Sequence, residues 1–246
     1  MSYMMNRLVN RYKQEVSDNP TLLELMYDNC NTFLTASQIP NVYLLDKELD
    51  LSKADRRVCT FIDDISEILF SCMSLGIWVS SYENVGYFIA KALERHMFNK
   101  CVKDEYMGNI LYIDTPLLLY DMKKLINRDE NFVSPRLSYS LDVLYHQVYD
   151  ADFIFWNRFT NPENNGYSNY DVNRLYEILL TRYNSCKGNA FVLCGSTPEK
   201  TFANFNQDTL TVMNCRENLY NFYDAACLPV TINKDEEKGE NKVDGQ

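Results

Sequence analysis

Between an apolar run, Gly76-Ile77-Trp78-Val79, and a helical one, Phe88-Ile89-Ala90-Lys91-Ala92-Leu93, the chain reads Ser80-Ser81-Tyr82-Glu83-Asn84-Val85-Gly86-Tyr87. A strand, a short loop and a helix opening in that order make the frame of a phosphate-binding loop. Such a loop needs glycines so that backbone N–H groups can close on phosphate. It also needs a lysine to reach the outer phosphates and a Ser or Thr to hold Mg²⁺. Here Ser80, Glu83 and Val85 stand where glycines would be, Gly86 takes the lysine's place and Tyr87 the Ser/Thr's. Glu83 adds negative charge where a triphosphate must sit. The frame is that of an ATPase fold, but its residues predict no ATP turnover, no bound cofactor and no metal.

The elements that would position this loop follow in order. Tyr43-Leu44-Leu45-Asp46 and a helical stretch from Arg57 to Leu75 precede it. After the first helix come a strand at Asn109 to Ile113, the run Thr115 to Leu125, and a second apolar strand within Val148 to Arg158. Val172 to Tyr183 predicts a helix, and Asn189 to Thr197 another strand. Strands alternating with helices predict an α/β fold with a doubly wound, mostly parallel sheet flanked by helices. The runs Phe153 to Trp156 and Ala190 to Leu193 show no apolar/polar alternation, which fits strands covered on both faces.

Taken together, residues 30 to 233 resemble the AAA+ helicase loaders of the DnaC/DnaI type. In that family the segment Asp152 to Arg158 is the Walker B strand, and its closing acidic pair binds Mg²⁺ and activates water. The pair reads Asn157-Arg158 here. Leu179 to Tyr183 matches the family's helix ending in Arg-Tyr, and Phe191 to Thr197 its following strand, with Cys194-Gly195-Ser196 in place of Thr-Ser-Asn. Near the C-terminus Arg216-Glu217-Asn218-Leu219 stands where the family carries an arginine, with Asn218 in that place. The resemblance implies an AAA+-like P-loop NTPase fold with a short helical N-terminal extension. Arginines near the position of Arg182 face a subunit interface in that family, so the resemblance makes Arg182 a candidate for action in trans on a neighbour's phosphates. An ordinary arginine capping its helix C-terminus is the competing reading.

Composition narrows the partners. The 246 residues carry a net charge of −10, against which a broad DNA-binding surface is not indicated, although single-stranded DNA is not excluded. A 46% hydrophobic share is ample for a core, and 18 tyrosines make the chain aromatic-rich. No apolar run approaches the ~20 residues that span a bilayer, so no membrane partner is expected. Eight cysteines are scattered singly, without a C-x-x-C or Cys/His cluster. That usage points to a reducing cytoplasm and excludes a zinc module. His96, placed near a helix end, and His146, placed on a partly exposed helix, lack a carboxylate or cysteine that would complete a triad.

The chain divides into a helical N-terminal extension (1–33), an AAA+-like domain (34–233) and a disordered acidic tail (234–246). Met4, Met5, Leu8 and Tyr12 fall on one face of an amphipathic first helix, and a second is predicted from Thr21 to Cys30 after a stop at Asp18-Asn19-Pro20. The family keeps its helicase-binding element ahead of the core, and adaptable thioethers suit a partner groove. Packing on the chain's own core is the alternative.

The resemblance thus implies a catalytically silent protein of DNA replication, acting by contact with a replicative helicase or an active helicase loader to load, hijack or inhibit. Such a degenerate copy suits a phage or mobile element. The alternative is a non-hydrolysing structural subunit of a mixed AAA+ oligomer, in which Arg182 serves a neighbour. Homo- and hetero-oligomers are both compatible with the sequence. An enzyme of another class finds no nucleophile–base pair to support it.

Overall fold

The computed structural model describes Tyr12 and residues 20–45, 47–71, 74–103, 105–126, 143–144, 146–160, 167–203, 205–223 and 228–232. Met4, Met5, Leu8 and the tail 234–246 lie outside them. The elements run α1 (Pro20–Ala36), α2 (Asn41–Leu45), β1 (Lys47–Leu49), α3 (Arg56–Asp63), α4 (Ile65–Ser71), β2 (Ser74–Val79), α5 (Val85–Lys103), β3 (Ile110–Asp114) and α6 (Thr115–Ile126). They continue with β4 (Phe153–Asn157), α7 (Asn169–Asn184), β5 (Gly188–Cys194), α8 (Pro198–Phe202), α9 (Gln207–Met213), β6 (Leu219–Asn221) and β7 (Val230–Ile232).

Five strands form a parallel sheet in the order β3-β4-β5-β2-β6. β1 and β7 pair antiparallel as a separate two-stranded ribbon. Side chains of the central strands alternate between two cores. Phe153 and Phe155 of β4 and Ala190 and Val192 of β5 face one core, which holds α1, α3, α4 and α5. Ile154, Trp156, Phe191 and Leu193 face the other, with α6, α7 and α9. Both faces being apolar explains why neither strand alternates in sequence. Each Val, Leu, Ile or Phe among them, removed from water, contributes ~1.5–3 kcal/mol before conformational entropy is set against it.

Several boundaries differ from expectation for local reasons. The second helix does not stop at Cys30. It continues to Ala36 because Phe33 and Leu34 extend the buried stripe begun by Leu22 and Met26. Left-handed Gln38 (φ 58°) then turns the chain. The stretch Arg57 to Leu75 is not one helix: Asp55 caps α3 by accepting from the Arg57 N–H at 2.8 Å, Asp64 ends it, and β2 already begins at Ser74. Residues 146–150 are helical, so the strand expected within Val148 to Arg158 shortens to Phe153–Asn157. The next helix opens earlier than Val172, where Ser168 and Asp171 close a capping box.

Tyr12 answers the question raised by its amphipathic pattern. Its ring is 5% exposed and stacks on Phe98 of α5, centroids 4.4 Å apart and planes 11° from parallel. At this residue the helix face packs on the chain's own core and is not offered to a partner.

Candidate functional site

The loop that carries the phosphate-binding frame sits between β2 and α5, at the carboxyl-terminal end of the parallel sheet. α5 opens at Val85, not at Phe88, so Val85, Gly86 and Tyr87 form its first turn. Left-handed Asn84 (φ 64°) makes the corner, and its carbonyl accepts from the N–H groups of Tyr87 (3.1 Å) and Phe88 (3.2 Å). The Val85 N–H donates to the Tyr82 carbonyl at 3.3 Å, and the Glu83 N–H to Ser81 Oγ at 3.1 Å. The amides of Glu83, Val85, Tyr87 and Phe88 are thus engaged in holding the turn.

Gly86, in the lysine's place, is buried, and the ring of Tyr43 from α2 lies on its Cα. A Cβ added there would meet that ring well inside van der Waals contact. Tyr43 also meets Tyr87 edge-on, centroids 5.0 Å apart at 85°, and tilts toward Tyr112 at 6.2 Å. The space a lysine side chain would need is occupied by this tyrosine cluster.

At the end of β4, Asn157 is 4% exposed and donates from Nδ2 to the Tyr112 hydroxyl at 2.7 Å, while its Oδ1 has no partner among the described residues. Burial pushes the Tyr112 phenol well above its usual range, so it stays neutral. Arg158 adopts a left-handed backbone (φ 52°). Its guanidinium forks onto Asp114 at the end of β3, Nε to Oδ2 at 2.9 Å and Nη2 to Oδ1 at 2.6 Å. That pairing raises the guanidinium pKa further and occupies the Asp114 carboxylate. Glu83 is exposed on the loop. Ser80 is half-buried, with no partner for its Oγ among the described residues and its carbonyl accepting from Cys194 Sγ at 3.4 Å.

Tyr82 ties the loop to the sheet. Its hydroxyl donates to the Thr160 carbonyl, and the Thr160 N–H donates back at 3.1 Å. Thr160 Oγ1 in turn bridges to β5 through the Cys194 carbonyl (2.9 Å) and N–H (2.8 Å). Burial pushes the Tyr82 phenol strongly upward as well. Loop, β4 and β5 are thus stitched by neutral groups. Of the charged groups named here, the one cation, Arg158, is already matched by a carboxylate. Sequence reasoning brought Ser80 to Tyr87 and Asn157-Arg158 to the same end of the sheet, but missed Tyr43, Tyr112, Asp114 and Thr160. A glycine in a lysine's place within a tyrosine-rich chain was the available signal: it marks a close approach by something large.

Three expectations need correction. Arg182 does not face a neighbour and does not cap its helix at the surface: it is 0% exposed. Its guanidinium donates to the carbonyls of Val148 (2.8 Å), Ala151 (2.9 Å) and Gly188 (2.6 Å) and to Asn189 Oδ1 (2.8 Å). His96 is not near a helix end but mid-way along α5 and buried, between Ser66 Oγ (3.0 Å from Nδ1) and the Met107 carbonyl (2.8 Å from Nε2). Asn218 lies at the start of β2, where it donates to the Ser74 carbonyl at 3.4 Å, the opposite end of that strand from the loop. His146 is exposed, on the helical turn at 146–150.

Among the described residues no cluster of His, Cys, Asp or Glu is placed to hold a metal ion, and no helix is long and apolar enough to cross a membrane. No family model matches the chain, and no curated protein matches it in sequence. Among solved structures it is similar to the DnaC helicase loader, at 14% identity and a TM-score of 0.46, over 70% of this chain and 90% of that one. A likeness this remote carries no functional weight. The architecture itself is the α/β class expected from the sequence, a parallel five-stranded sheet flanked by helices.

Proposed function

We propose that this chain is a helicase-loader-like protein of DNA replication that works in the cytoplasm by protein contact, without hydrolysing ATP. The observation that carries the silent half of this reading is the Tyr43 ring seated on Gly86. A triphosphate needs free amide donors, a mobile cation and a carboxylate for Mg²⁺. Here the amides of Glu83, Val85 and Tyr87 hold the turn, Tyr43 and Tyr87 crowd the lysine's place, and Asp114 is committed to Arg158. The replication half is supported by the order of the sequence segments from 30 to 233 and by their placement on a parallel α/β sheet. The partner is a replicative helicase or an active loader. The rival reading, a structural subunit of a mixed AAA+ oligomer, loses the arginine it relied on, because Arg182 is buried.

Calorimetry with Mg·ATP, run beside a phosphate-release assay, tests the first half. No binding heat and no turnover are expected; micromolar affinity with turnover would overturn it. Co-elution of the purified chain with a hexameric replicative helicase, or with an active loader, tests the second.

A further inference from the structure

We draw no further inference here: the strongest candidate, the paired cavities that flank the exposed Tyr106 ring at the amino-terminal end of the parallel strands, is an open aromatic face whose lining charges are already paired, Lys100 with Glu105 and Lys187 with Asp152, and nothing in the structure shows what covers it.

Discussion

Arg182 carries a charge into the core and satisfies it with neutral acceptors, three carbonyls and the Asn189 amide oxygen. Burial lowers its pKa to about 10, with Asp152 acting in the opposite sense. It binds the end of α7 to the segment before β4 and to the start of β5, so its removal strands several buried carbonyls at once. Arg182→Ala should cost about 3 kcal/mol or more in urea unfolding. Arg182→Lys should recover little, because an ammonium cannot reproduce the planar fork. An unchanged midpoint in Arg182→Ala would remove the clamp from the account. His96 gives the chain a pH dependence. Burial lowers its pKa from 6.5 to about 4, helped by Lys100 and opposed by the hydrogen bond to the Met107 carbonyl. The folded state therefore holds the ring neutral while the unfolded state takes up a proton. Stability is unaffected above about pH 6.5, falls as pH drops from there toward 4, and levels off below. Between pH 7 and pH 5 the loss is about 2 kcal/mol, and His96→Gln should flatten that slope. Equal losses in parent and variant would show that another group is responsible.

α5 begins where a tyrosine from α2 needs room. Gly86→Ala should destabilise by about 1–3 kcal/mol through overpacking against the Tyr43 ring. The same substitution made in a Tyr43→Ala background should cost distinctly less, since the obstructing ring is gone. A double-mutant cycle reads this coupling directly, and additive costs would mean that the ring and the glycine are independent. α7 owes its start to the Ser168–Asp171 capping box, and Lys123 of α6 pairs with the same Asp171 at 2.8 Å. Ser168→Ala should therefore cost about 1 kcal/mol, and circular dichroism melts would register it. Both helix starts show a single side chain serving two elements, and for that reason a change in either is felt beyond its own helix.

For the whole molecule, an occupied nucleotide site would be felt as stability. A ligand at a hundred times its Kd raises the unfolding free energy by about 2.7 kcal/mol, roughly 5–10 °C for a chain of this size. Millimolar Mg·ATP should leave the melting temperature of this chain within about 1 °C, and a larger rise would place nucleotide on the folded protein. Much of the architecture was legible without coordinates. Apolar runs without alternation, such as Phe153 to Trp156, identify strands covered on both faces, and the loop at 80–87 is framed by β2 and α5 as its neighbours require. These are local properties, written in the periodicity of adjacent residues. Arg182 reads the same in sequence whether it reaches a neighbour or its own core, and Tyr12 whether it is bait or ballast. Tyr43 gives no local sign that it will rest on Gly86, far along the chain. Contacts between residues remote in sequence depend on how the layers close, and burial is a property of the packed whole. Sequence alone therefore determined the alternating α/β scaffold and the residues at its loop. Only tertiary packing decided that Tyr43 covers Gly86, that Arg182 is enclosed, and that Tyr106 stands exposed between two cavities.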